Sequence, residues 1–295
     1  YVFCEALGKS GKEPVLVVRN LETQEYLGGA LAIARHLSDF CNNVSLLSFL
    51  GEDNEYKSFI EEDIEENIHL NFLTKSNSPT IVKRRFVDSI DRKKILGVYS
   101  INDSALNKEE EAKFLESFDK LSKEHDLVIV SDYGHGIITE SIAKLLTEQS
   151  SFLAFNTQLN AANIGHHSIS KYSRANCVIM NGSELRHELR DRSTDLETLT
   201  KQLADNLITD TIIVTKGSAG VLLYNAKDWS ADTEKLRLGT RSPRSRKSSD
   251  SINGSGICIA DLSSLSNESD ANCEPPIPSR PVEPPISTTK SPDLA

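Results

Sequence analysis

The run Ile212-Ile213-Val214-Thr215 is followed by Lys216-Gly217-Ser218-Ala219-Gly220, the pattern of a buried strand ending in a glycine turn. A backbone without side chains can lie close against a nucleotide there. Asn181-Gly182-Ser183-Glu184 places a polar pair at the end of another apolar run. Gly28-Gly29-Ala30 opens an amphipathic stretch, so backbone N–H groups at a helix start would be open to an oxygen-rich ligand. Lys83 and Arg85 alternate along a third segment, and Asp132, Tyr133 and His135 follow a fourth. Each feature also has a plainer explanation. Gly28-Gly29 is also what a turn before a helix looks like, and Lys83 and Arg85, with Arg84 between them, also suit a solvated strand face. Asn181 and Glu184 suit a loop and helix cap, and His135 a loop residue packed against Tyr133.

The elements that must position these residues read as alternating strands and helices. Val44 to Phe49, Leu127 to Val130, Phe152 to Phe155, Cys177 to Met180 and Thr211 to Val214 are short apolar or β-branched runs, suited to strands buried on both faces of a parallel sheet. Helical patterns lie between them at Ala30 to Phe40, Glu55 to Glu66, Lys108 to Lys123, Glu140 to Glu148 and Leu196 to Leu207. This alternation predicts a doubly wound, mainly parallel α/β sheet with its ligands at the carboxyl ends of the strands. Val15 to Arg19, Thr80 to Asp88 and Lys94 to Tyr99 break the alternation and read as half-exposed antiparallel strands. Asp88 to Asp91 supplies a hairpin turn between the last two. They predict a small β-lid, from segments of about 1–27 and 78–100, over the open end of the main sheet.

Composition bounds the function. The chain has 295 residues, 38% hydrophobic, and a formal net charge of -10, which disfavours general affinity for nucleic acid or an anionic membrane. No apolar run approaches the roughly 20 residues that span a bilayer, and no basic-then-apolar leader opens the chain. Five scattered cysteines without a CxxC pair fit reduced thiols in a cytoplasmic protein. His36, His166 and His167 have no partner at metal-ligand spacing and read as structural or exposed. No GxGxxG follows the early strands, which counts against a dinucleotide oxidoreductase. After Trp229 there is no aromatic residue, and eight of the 10 prolines fall there. Residues 1–228 therefore read as the folded domain and 229–295 as a disordered, low-complexity Ser/Pro-rich tail.

The segments GGALAIARHLSDFC (28–41) and VSLLSFLGED (44–53) together resemble the first signature of the ribokinase-like, or PfkB, carbohydrate kinases. VIVSDYGHG (128–136), CVIMNGSE (177–184) and IIVTKGSAG (212–220) match further landmarks of that family in the right order. FCEALGKSGKEPVLVV (3–18) and SPTIVKRRFVD (78–88) look most like its heptose 7-phosphate kinase branch. The resemblance implies ATP and magnesium as cofactors and a sugar phosphate such as heptose 7-phosphate as acceptor. Gly28 and Gly29 would contact sugar hydroxyls, Lys83 and Arg85 a sugar phosphate, and Asp132 and His135 would face the same site. Asn181 and Glu184 would organise magnesium near the ATP phosphates, with Glu184 as the metal-side carboxylate. Thr215, Gly217 and Gly220 would line the nucleotide. A homodimer through the β-lid is the implied assembly.

The same resemblance calls for a late Gly-Ala-Gly-Asp at a helix start, whose N–H groups form an anion hole and whose Asp takes the proton. The nearest stretch, Asp250 to Ile257, has Ile257 where the catalytic Asp belongs. The catalytic base therefore stays unassigned. The family's opening strand and its C-terminal helices also have no counterpart, so the expectation is a kinase domain truncated at both ends. Two alternatives stand beside it: a non-catalytic nucleotide- or sugar-binding remnant, and a tail that acts by itself through Arg280 to Pro285 or the serines at 242–249.

Overall fold

A computed structural model describes residues 1–160 and 163–226, and 252–260 as backbone. The strands are β1 (Val2–Lys9), β2 (Leu16–Thr23), β3 (Cys41–Gly51), β4 (Ile68–Lys75), β5 (Val82–Asp88), β6 (Lys94–Ser100), β7 (Leu127–Asp132), β8 (Leu153–Thr157), β9 (Arg174–Asn181), β10 (Ile208–Thr215), β11 (Val221–Asn225) and β12 (Ile252–Ala260). The helices are α1 (Ala30–Ser38), α2 (Lys57–Glu62), α3 (Lys108–Ser122), α4 (Glu140–Gln149), α5 (Gly182–Glu188) and α6 (Leu196–Asn206).

The main sheet runs β11-β10-β9-β8-β7-β12-β3-β4, and every neighbouring pair is parallel except β10 with its edge strand β11. Burial on both faces explains the apolar runs. Along β3, Leu47 and Phe49 enter one core with Phe114 and Phe118 of α3 and Ile142 and Leu146 of α4. Val44, Leu46 and Leu50 enter the other with Ala30, Leu31 and Ala34 of α1 and Ile60 of α2. Phe114 and Phe118 are fully buried, and each such side chain stabilises the fold by about 1.5–3 kcal/mol.

Helix starts follow the sequence where a capping residue is present. Asn107 and Glu110 form a reciprocal capping box at α3, Thr139 caps α4 and Asp195 caps α6. One helix is shorter than its pattern predicts: α2 spans Lys57–Glu62 rather than Glu55 to Glu66. Tyr56 takes a left-handed backbone ahead of it, and Asp63 and Glu65 leave the helix to pair with Arg35 of α1 at 3.3 and 2.8 Å.

The lid is a second sheet of order β2-β1-β5-β6, antiparallel except for the β1–β5 pair. The expected hairpin turn is present, with Asp88 Oδ1 accepting from the N–H groups of Ile90 and Asp91. Gly51 ends β3 directly beneath the crossing into β5, where a Cβ would lie 2.1 Å from the Thr80 nitrogen.

β12 lies within the stretch read as tail. Ile257 pairs with Ser45 of β3 and Val128 of β7, and among the described strands β12 is the one that joins β3 and β4 to the rest of the sheet. Over its described residues, 252–257, the glycine-rich run is therefore no helix-start anion hole. In a central parallel strand the backbone N–H groups are engaged in the ladders rather than converging on a ligand. The Pro-rich segment 280–285 and the serines at 242–249 lie outside the described residues. Among those described, Cys4, Cys41 and Cys177 are free thiols, and no helix is long and apolar enough to cross a membrane.

Candidate functional site

All site residues named from the sequence stand at or beyond the carboxyl ends of the main-sheet strands, or on the lid above them. They fall into two groups.

The first group lines the lid. A cavity of about 310 Å³ opens between lid and sheet, and its walls include Tyr1, Gly28, Leu31, Phe59, Lys83 and Arg85. Gly28 sits in the wall itself, and Gly29 caps α1 with φ 56 and no side-chain hydrogen bond. That start leaves α1 without a capping side chain. Lys83 and Arg85 share the inward face of β5, whereas Arg84 is exposed on the other. Arg85 is only 3% exposed, with its guanidinium 5.8 and 5.9 Å from the rings of Tyr1 and Tyr99. Its Nη1 donates to the Lys83 carbonyl at 3.4 Å, and its Nη2 is buried with no hydrogen-bond acceptor. A buried charged donor left unmade costs a few kcal/mol, so this geometry fits an anionic acceptor supplied by a ligand.

His135 is buried behind Lys83. Its Nε2 lies 3.3 Å from Lys83 Nζ and its Nδ1 2.6 Å from Asp103 Oδ1. Burial above all, and then Lys83, push its pKa below the ordinary imidazole value, against the upward pull of Asp103.

Asp132 is held differently. It is 1% exposed, and its carboxylate accepts from Tyr172 Oη at 2.9 Å and from the Gly134 N–H at 3.1 Å. Lys171 Nζ pairs with it at 2.5 Å, and His167 Nε2 is 3.7 Å away. These contacts direct Asp132 into the protein, and it is absent from the cavity wall.

The second group stands at the ends of β9 and β10, where Thr215 is the register partner of Asn181. Asn181 caps α5: its Oδ1 accepts from the N–H groups of Ser183 and Glu184, and Glu184 Oε2 accepts from the Asn181 N–H at 2.8 Å. The bland reading of this pair as a helix cap is thus correct as geometry. Burial pushes the Glu184 carboxyl up from its ordinary value, against hydrogen bonds from the backbone of Asn181 and Leu159 and the side chain of Asn156. Gly217 (φ 57) and Gly220 (φ 90) form an exposed turn in which an added Cβ would meet nothing within 4 Å. Only the backbone conformation demands glycine here, and the surface is open.

Magnesium usually takes one or two protein carboxylates and fills its remaining positions with phosphate oxygens and water. Glu184, just beyond the end of β9 and 6% exposed, is one carboxylate of that kind; burial raises its pKa, and a nearby cation would act in the opposite direction. No group of three metal-ligating side chains exists among the described residues. The lid cavity does not extend to Asn181, Glu184, Thr215, Gly217 or Gly220. β9 and β3 stand four strands apart in the sheet order, roughly 19 Å at ordinary strand spacing, which leaves room for two ligands end to end.

Three contributors carried no signal in the sequence. Asp103 lies 32 positions from the histidine it binds. Lys75, 6% exposed, donates to the carbonyls of Asn102, Ser104 and His135 at 2.7, 2.7 and 3.3 Å. Tyr99 faces both Lys83 and Arg85.

This fold and edge-on site define a ribokinase-like α/β architecture. The model of the pfkB family carbohydrate kinases matches residues 4–236, and the chain belongs to that family. It is 27% identical over 227 residues to the bifunctional protein HldE of Nitratiruptor sp., a match covering 76% of this chain and 47% of that protein. It is 26% identical over 228 residues to HldE of Campylobacter jejuni strain RM1221, with the same coverage. The chain thus spans about half the length of the curated relatives it matches. Among solved structures, phosphofructokinase-2 from Escherichia coli in complex with fructose-6-phosphate superposes with a TM-score of 0.57 at 15% identity, covering 77% of this chain and 74% of that one. Ribokinase from Giardia lamblia superposes with a TM-score of 0.54 at 15% identity, covering 77% and 71%.

Proposed function

We propose that this chain is a sugar-kinase domain that binds a phosphorylated sugar under the lid and ATP with magnesium at the ends of β9 and β10. The observation that carries the acceptor class is the buried Arg85, with Nη2 lacking an acceptor, beside Lys83 in the cavity wall that also contains Gly28. An acceptor with an anionic substituent satisfies that donor, and Gly28 and Gly29 leave backbone at the helix start for its hydroxyls. The branch resemblance of residues 3–18 and 78–88 narrows the acceptor to a heptose 7-phosphate. On the nucleotide side, the Gly217–Gly220 turn would lie along ATP, and Glu184 would face the hydrated magnesium that neutralises its phosphates.

Phosphoryl transfer needs an aligned hydroxyl and a proton acceptor beside it. Asp132 is engaged by Lys171 and Tyr172, and Ile257 lies within a strand, so neither serves. Without such a base the rate falls by about two to four decades. That same observation favours a second reading, a domain that binds both ligands without turning them over. Incubating the full chain with γ-labelled ATP, magnesium and a panel of sugar phosphates separates the two. Slow transfer to a heptose 7-phosphate supports the kinase reading. Binding of both without transfer supports the second, and neither binding nor transfer refutes both.

Glu184→Gln keeps an oxygen to accept from Asn181 but replaces the second acceptor oxygen, which with the first serves the Leu159 backbone and the Asn156 side chain, by an NH2 donor. Because the folded-state pKa of Glu184 is raised, its favourable contribution exists below the unfolded carboxyl pKa and is lost as pH rises through the folded value. The variant is therefore expected to compare better with the parent near neutral pH than in acid, and to lose stabilisation by magnesium–ATP. Urea midpoints at the two pH values test this; a variant that compares worse at neutral pH than in acid would mean that the charged cap is what the fold requires.

The lid leaves Leu7, Leu16, Leu21, Leu96 and Val98 exposed, and we assign this apolar surface to a second copy of the chain. Sedimentation of the parent should show a dimer and Leu16→Glu with Leu21→Glu a monomer; a monomeric parent removes the assignment.

A further inference from the structure

We propose that Asp103 and His135 form a positioning pair whose task is to hold the Lys83 ammonium in place for the anionic group of the acceptor. The inference rests on the acceptor reading above and goes beyond it by naming what aims the lysine.

Chemistry fixes the proton arrangement. An ammonium can only donate, so the 3.3 Å contact between Lys83 Nζ and His135 Nε2 makes Nε2 the accepting nitrogen. The ring proton of the neutral imidazole then sits on Nδ1 and is donated to the Asp103 carboxylate at 2.6 Å. The ring bridges a carboxylate and an ammonium, and each end selects the same tautomer. The downward shift of the His135 pKa agrees, since it keeps the ring neutral and its Nε2 lone pair available.

The support around the ring is built from several elements. Gly136 has φ 83, and a Cβ there would lie 2.2 Å from the Ser104 oxygen, so the 134–136 loop is pressed against the segment that carries Asp103. Lys75, from the end of β4, donates to the carbonyls of Asn102, Ser104 and His135 and ties the two segments together. The charged groups facing the ring are thus Asp103, Lys83 and Lys75. On its other sides Lys83 Nζ stands 5.4 and 5.6 Å from the ring centroids of Tyr99 and Tyr133. A long, flexible ammonium is thereby confined before any ligand arrives, and such preorganisation lowers the entropic cost of binding. A pair that merely packed lid against sheet would not need an acceptor nitrogen turned to the one lysine in the cavity wall.

The test uses the full chain at about pH 8, above the ordinary imidazole range. The probes are sulfate, whose charge does not change there, and sedoheptulose 7-phosphate. His135→Leu should weaken both by about tenfold, whereas His135→Gln, whose amide oxygen can still accept from Lys83, should stay within about threefold. In a Lys83→Met background His135→Leu should change affinity less than about twofold, because the pair acts only through that lysine. Asp103→Ala, at a side chain 41% exposed, keeps the test valid should His135→Leu fail to fold, and its effect should likewise vanish without Lys83. Equal losses with and without Lys83, or Gln behaving like Leu, would overturn the positioning role alone. Lys83→Met binding as tightly as the parent would likewise overturn the positioning role alone, whereas a parent that binds neither probe would overturn the acceptor reading and the positioning role with it.

Discussion

Arg85→Met should leave the chain about as stable as the parent yet weaken binding of a phosphorylated sugar by about one to two orders of magnitude. The two effects have separate causes. Losing hydrogen bonds from a charged donor to a ligand costs about 1.5–3 kcal/mol, which is the source of the binding loss. In the free protein, however, Nη2 is buried with no acceptor, so the parent already bears a desolvation penalty that methionine removes. That gain offsets the lost contacts with the rings of Tyr1 and Tyr99, each worth about 0.5–2 kcal/mol. Urea unfolding with a calorimetric titration of sedoheptulose 7-phosphate measures both. A variant that loses several kcal/mol of stability but binds normally would make Arg85 a structural residue.

Asp132→Ala should do the opposite, destabilising the fold by about 3 kcal/mol with little direct effect on ligand contacts. Removing one partner of a buried ion pair typically costs about 3–5 kcal/mol, because the other charge is left uncompensated. The lower end applies, since the Lys171 side chain keeps 17% exposure and also donates to the Ile138 carbonyl. Tyr172 Oη and the Gly134 N–H lose an acceptor as well. Chemical denaturation gives the value. Unchanged stability with abolished sugar binding would return Asp132 to the site, where the family resemblance had suggested it.

Much of the architecture was legible because a parallel sheet buried on both faces demands runs of apolar residues, and β3, β7, β9 and β10 carry them. β4 was missed because, at the sheet edge, it alternates Ile68, Leu70 and Phe72 with His69 and Asn71 and so carries no continuous apolar run. β12 was missed for a different reason: Gly254 and Gly256 weaken any local strand signal, and its place between β3 and β7 is a tertiary fact. At the site, the two-residue spacing of Lys83 and Arg85 gave their common face. The three-residue spacing of Asn181 and Glu184 gave the helix cap that the structure forms there. Asp103 had no such local cue, because long-range side-chain pairing leaves no periodicity in the chain.

The most direct test of the two-ligand account is backbone hydrogen exchange on the full chain, free, with magnesium–ATP, and with sedoheptulose 7-phosphate. The account predicts that the nucleotide slows exchange across 181–188 and 215–221, and that the sugar phosphate slows it across 28–35 and 80–88. Unaltered exchange in all four segments at saturating ligand would contradict it.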